Sequence, residues 1–167
     1  CSKVLPSVPT MRRHVDMNPA LLAPLVALLL KRGVGLGGLP SDQQALVFAL
    51  VWAGLPDGGM NERQVNEQLK SQLHGAASFL DTDHVELRRW LVDAGWLRRD
   101  GYGREYGRTP LTALDESVAA GQAVVRALAE MPVGPWAADQ RAAHHAKREA
   151  RRQAWDQQQA LQQATKP

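Results

Sequence analysis

The stretch "DHVELRRWLVDAGWLRRDGYGREYGR", residues 83–108, decides the fold. Its first half has the form of a capped helix: Asp83 with Glu86 three residues on makes a capping-box pattern, and Gly95 supplies a C-terminal stop. Its second half changes period. Trp96 to Arg99 and Glu105 to Arg108 read as short strands, and the intervening Asp100-Gly101-Tyr102-Gly103 puts glycines where a hairpin loop needs positive φ. A helix running straight into a hairpin is the closing half of a winged helix-turn-helix, so the segment before it must supply two more helices.

That segment does so. Ser41 with Gln44 makes a capping-box pattern at the start of "DQQALVFALVWAGL", which closes at Gly54; its continuous aliphatic run predicts near-complete burial. Asn61 with Gln64 repeats the box, Met60 and Val65 take staple positions, and Val65, Leu69 and Leu73 form a narrow apolar stripe. Upstream, residues 19 to 32 read as a helix, capped by Asn18-Pro19, kinked at Pro24 and stopped at Gly33. "GVGLGGLPS" looks like a phosphate loop but lacks the Lys-Ser/Thr ending, and reads as a linker. Downstream, Thr109-Pro110 opens a helix with Leu111, Leu114, Val118, Val125 and Leu128 on one side, ending at Pro132; "MPVGPW" reads as a hinge. From Ala137 the chain is rich in Ala, Gln and Arg with a poor apolar stripe, as in a solvated or partner-dependent helix. The expected fold is mainly α: a winged helix-turn-helix-like core of three helices plus a β-hairpin, with additional N- and C-terminal helices. The expected divisions are a disordered or vector-derived arm at 1–17, an apolar helix and Gly-rich linker at 18–40, the winged-helix-like domain with its following helix at 41–131, and a hinge with a basic tail helix at 132–167.

"ERQVNEQL" (62–69), the L-R-R-x-L-V-D-x-G core of residues 87–95 and the closing "EYGR" (105–108) together resemble the bacterial DUF2087 family over about residues 42–108. The resemblance implies a winged-helix-like module found alone or attached to helix-turn-helix regulators, hence a regulatory role, and brings no catalysis or cofactor. "HGAASFLDT" between the two helices is longer than the usual pattern.

Composition narrows the function classes. With 167 residues and 44% hydrophobic content the chain can bury one real core. A single cysteine, Cys1, excludes an intrachain disulfide framework and any zinc site built from several cysteines, so a reducing cytoplasm is the expected compartment. The apolar run "ALLAPLVALLL" has eleven residues, against roughly 20 for a membrane span; no membrane partner is expected. From Ala137 onward six Lys/Arg face three Asp/Glu, which accounts for the whole net charge of +3. The tail is therefore where a polyanion would dock nonspecifically.

Within residues 83–108 the charge divides as well. Centring Leu87 on the core side of the helix places His84, Trp90, Leu91 and Ala94 within about 60° of it and leaves Val85, Arg89 and Val92 opposite. Asp81 to Gly95 carries four acids and two arginines, a sign that a phosphate field opposes. The hairpin carries Arg98, Arg99, Arg104 and Arg108 against Asp100 and Glu105. Arginine's planar fork suits phosphate, and Tyr102 or Tyr106 could stack on a base. The candidate nucleic-acid-binding residues are therefore Arg98, Arg99, Arg104, Arg108 and Tyr102, with Arg88 and Arg89 on the helix and Arg148, Arg151 and Arg152 in the tail. The plainer alternative pairs these arginines with neighbouring acids. His144-His145 diverge by about 100° on a helix and do not share a metal; His74 and His84 flank Asp81 and Asp83, but Asp83 is better used as a cap. No nucleophile frame is recognisable, so an enzyme is not expected, nor a metal or cofactor. The expected function is a nucleic-acid-associated transcriptional regulator whose wing and basic tail contact DNA phosphates. Its rival is a protein-interaction module that forms a homodimer through the N-terminal helix or the outward face of the 83–95 helix.

Overall fold

The computed structural model describes residues 19–114 and 119–164. The arm expected at 1–17, the Asn18 cap and Val118 lie outside the described residues. Six helices are present among them: α1 (Pro19–Leu29), α2 (Ser41–Ala53), α3 (Glu62–His74), α4 (His84–Asp93), α5 (Ala119–Ala129) and α6 (Val133–Ala164). Three strands, β1 (Met60–Asn61), β2 (Leu97–Arg99) and β3 (Glu105–Arg108), form an antiparallel sheet in the order β1-β3-β2. The run α2, β1, α3, α4, β2, β3 is a winged helix-turn-helix-like core. β1 is too short to read as a strand in sequence. It joins the sheet by pairing Met60 with Tyr106 and Asn61 with Glu105.

Local chemistry explains most boundaries. At α3 the capping box is complete: Asn61 Oδ1 accepts from the Gln64 amide and Gln64 Oε1 accepts from the Asn61 amide, both at 2.9 Å, with Met60 and Val65 buried beside it. At α4 Asp83 Oδ1 accepts from the amides of Val85 and Glu86 at 2.8 Å, while the Glu86 carboxylate accepts from Thr82 Oγ1 instead of closing the box. The C-terminus of α4 is a Schellman turn. Gly95 sits at φ +76°, its amide donates to Val92 and the Trp96 amide donates to Leu91, with Leu91 and Trp96 both buried.

The Ser41 and Gln44 pattern does not cap α2. Ser41 is already helical after Pro40, and Gln44 Nε2 instead donates to the carbonyls of Leu36 and Leu39, tying down the glycine-rich segment. That segment is no loose linker: Leu36–Gly38 is a 3-10 turn with Leu36 buried, and Val34 bridges Leu80. Residues of "HGAASFLDT" thereby enter the core, with Ala76, Ala77, Phe79 and Leu80 buried.

Val47 to Trp52 of α2 are all buried, at the centre of a core shared with α1, α5 and the start of α6. In α1, which ends at Leu29 before the expected Arg32, the leucines 22, 25, 28 and 29 are buried against the chain's own helices, so that apolar face is already covered. Pro24 is accommodated inside α1. The helix expected from Pro110 is a short 3-10 turn, Leu111–Ala113, and α5 begins at Ala119. The "MPVGPW" stretch is mostly the first turn of α6, where proline's missing amide costs nothing, so the hinge shrinks to the turn around Pro132. No described helix is long and apolar enough to cross a membrane.

Candidate nucleic-acid interface

The wing is welded to the core at its base. Trp52 Nε1 donates to the Thr109 carbonyl at 2.8 Å, the Thr109 hydroxyl donates to the Gly95 carbonyl at 2.6 Å, and Tyr106 and Leu97 are buried. Arg108 belongs to this base. Its guanidinium pairs with Asp57 (Nε to Oδ1 2.7 Å), donates to the Leu55 carbonyl, and lies 4.3 Å from the centre of the Trp52 ring. Only 18% of its side chain is exposed. Arg88 is held likewise, 13% exposed, with NH1 at 2.9 Å from Glu62 and 2.6 Å from Asn66 Oδ1, and its guanidinium 5.3 Å over Tyr106. These two arginines tie helix to sheet, because a charge this far from water needs its partners.

Arg89, Arg98 and Arg99 are exposed, and their side chains make no hydrogen bond or ion pair among the described residues. Arg99 and Arg89 line a cleft of about 190 Å³ between α4 and the wing, together with Arg88, Val92, Asp93 and Tyr106. Arg98 lines the neighbouring hollow on the outer sheet face with Gly58, Gly59 and Gly107. At the hairpin tip Arg104 lies 5.5 Å from the ring of Tyr102, which is 85% exposed. The tip is ordered by Asp100, whose carboxylate accepts from the amides of Arg104 and Glu105 at 2.7 and 3.1 Å, while Gly103 takes φ +69°. The Glu105 amide, with those of Arg104 and Gly103, holds the Asp100 carboxyl below the usual aspartate range. Asp83 is lowered for the same reason by the Glu86 and Val85 amides.

The face of α4 differs from its sequence reading in part. Leu87 and Leu91 are buried as expected, but Ala94, the C-terminal cap residue just before the Schellman glycine, is exposed. Val92 packs against the core and Val85 is half-buried, which leaves Arg89 as the fully exposed member of the outward trio.

In α6, Val133 and Ala137 are buried, and beyond Arg141 nearly every described residue is exposed. Arg141 marks the border. Its guanidinium donates to the carbonyls of Leu29 (3.4 Å), Gly75 (3.2 Å) and Ala76 (2.7 Å), which capture the ends of α1 and α3. It is therefore a structural latch, and burial lowers its pKa from the usual arginine value without discharging it. Arg148, Arg151 and Arg152 are exposed and unpaired among the described residues.

Sequence reasoning thus grouped side chains that the structure separates. Arg88, Arg108 and Arg141 are bound, while Arg89, Arg98, Arg99, Arg104, Arg148, Arg151 and Arg152 face solvent. The partners of the bound set, Glu62, Asn66, Asp57 and the helix-end carbonyls, were missed, since they lie 22 to 112 residues away in sequence. His74 Nδ1 meets the Lys70 carbonyl, and no group of three His, Cys, Asp or Glu able to hold a metal occurs among the described residues.

Residues 39–108 match the family described as "Uncharacterized protein conserved in bacteria (DUF2087)". Over this segment the chain is similar to the DUF2087 family. The DUF2087 match begins just before α2 and ends with β3, so it takes in the helices, the sheet and the α4–wing cleft, and leaves out α1, α5 and α6. No curated protein and no solved structure matches the chain.

Proposed function

We propose that the protein is a nucleic-acid-associated transcriptional regulator, in which the wing and the basic part of α6 contact phosphate. The observation that carries this reading is the convergence of Arg89 from α4 with Arg99 from β2 on one cleft, both exposed and unpaired among the described residues. Two forked donors across a concave surface suit the oxygens of a phosphodiester backbone. The contact is made side-on. Asp81, Asp83 and Glu86 crowd the start of α4, and a helix entering a groove by that end would bring carboxylates against phosphates. Such a surface grips the backbone and discriminates weakly among bases. Burial of the α1 leucines within the chain removes the main support for a homodimer through that helix.

Fluorescence titration of a labelled random-sequence duplex at about 50 mM salt tests the reading. The native chain should bind, and the double variant Arg89→Ser, Arg99→Ser should bind more weakly, with the slope of log K against log salt shallower by about two. No binding at that salt, or an unchanged slope in the double variant, would overturn it.

A further inference from the structure

The exposed half of α6 has a sidedness that its composition conceals. Advancing 100° per residue, Arg148, Arg151, Arg152 and Trp155 fall within about 100° of arc, with His144 inside the same sector and Lys147 at its edge. The opposite face holds Ala142, Ala143, Ala146, Ala150 and Ala154. Arg141, Arg148 and Trp155 follow one another every seven residues, each only about 20° behind the last. Because Arg141 points at the body, the strip continues on that side past the body's edge. At the near end, Lys31 and Arg32 are exposed two and three residues beyond Leu29, whose carbonyl Arg141 holds.

The charges on the strip are available. The side chains of Lys147, Arg148, Arg151 and Arg152 have no ion pair or hydrogen bond among the described residues, and Glu149 turns to His145, 3.5 Å away. Amid these cations Trp155 exposes 62% of its surface, whereas Trp52 and Trp96 are buried and Trp90 and Trp136 are half-buried. A large ring left in water next to arginines costs hydration free energy unless something flat covers it. A membrane surface is poorly matched, since the face opposite the cations is mostly alanine and glutamine, and Leu161 is the single large apolar side chain on it among the described residues, where an interfacial helix inserts several. A duplex keeps its bases stacked on one another, where the indole cannot reach their faces. An unpaired strand offers both a phosphate backbone for the arginines and open base faces for the tryptophan.

We infer that the α6 strip is a single-stranded nucleic-acid site, with Arg148, Arg151 and Arg152 on phosphates and Trp155 stacked on a base. This rests on the reading that α6 cations meet phosphate, and it adds the strandedness of the ligand and a contact that reads a base face. Its test is separable from that of the α4–wing cleft.

The test titrates the full chain with an oligothymidylate of about 20 nucleotides and a duplex of the same length, following tryptophan emission. The oligothymidylate should quench emission and bind more tightly to α6 than the duplex does. Trp155→Leu should abolish the quenching and weaken binding of the single strand about tenfold, the loss of one stacked base. Arg148→Gln with Arg151→Gln and Arg152→Gln should flatten the single-strand salt slope by about two. Circular dichroism is unchanged in both variants, since all four positions are exposed. The cleft variant Arg89→Ser, Arg99→Ser should keep the oligothymidylate quenching; if it loses duplex binding and keeps quenching, the two sites are distinct. Unchanged single-strand affinity in Trp155→Leu overturns the inference. So does a preference of α6 for duplex, or a blue shift of Trp155 on phosphatidylserine vesicles without any response to the oligothymidylate.

Discussion

Helix α6 is one unbroken helix with two different halves, and their contrast shows what holds this molecule together. From Val133 to Arg141 it is a core element, burying Val133 and Ala137 and ending in an arginine that caps two other helices. From residue 142 to 164 it is nearly all exposed. The same backbone geometry is thus stabilised by tertiary burial in the first half and by alanine-rich propensity in the second.

The largest expected break in that symmetry is Ala137→Asp against Ala150→Asp. The first puts a carboxylate into a fully buried apolar position and should lower stability by about 3 kcal/mol or more; the second lies in water and should change it by less than about 0.5 kcal/mol. Denaturant unfolding of both variants checks this, and equal midpoints would show that α6 does not contribute to the core. Next in size is Arg141→Met, which keeps the length of the side chain but leaves the carbonyls of Leu29, Gly75 and Ala76 without their donor. A loss of about 2 kcal/mol is expected, with faster amide exchange at the end of α3 and none of that change in residues 142–164.

The smallest effect is a matter of pH. Asp83 and Asp100 are carboxyls whose pKa is depressed in the fold by backbone amides. Their stabilisation is therefore complete above the unfolded aspartate range, about pH 4, and is lost as pH falls through the lower folded values. Acidification from pH 5 to 3 should loosen the amides of Arg104 and Glu105 and the start of α4 before it touches the exposed half of α6, as read by amide chemical shifts. Simultaneous loss in both regions would sink the distinction.

What could be read in sequence follows the range of the interactions. The cap at Asn61, the half-cap at Asp83 and the Gly95 stop act over three to five residues, so their letters sit next to one another and give the order of helices and hairpin. Ser41 and Gln44 show the limit of such patterns: the spacing was right, but two carbonyls of the folded-back glycine segment took Gln44 instead. Strand β1 spans two residues, below any period that alternation can display. The candidate site was legible as a set of arginines and not as a geometry. Which of them are occupied depends on Glu62, Asn66 and Asp57, each remote in sequence, and on helix ends whose positions only the fold supplies. Trp155 was visible as a letter, while its place among the arginines of one face emerges once α6 is known to continue unbroken through it.

The Arg141 latch also sets a mechanical scale. The 23 residues of α6 that follow it extend for about 35 Å, at 1.5 Å per residue, from a fulcrum made of three carbonyl contacts. A tilt of about 10° there sweeps the far end through about 6 Å. The strip around Trp155 is thus carried on a lever, and the contacts at its pivot govern how much space its cations can search around the body.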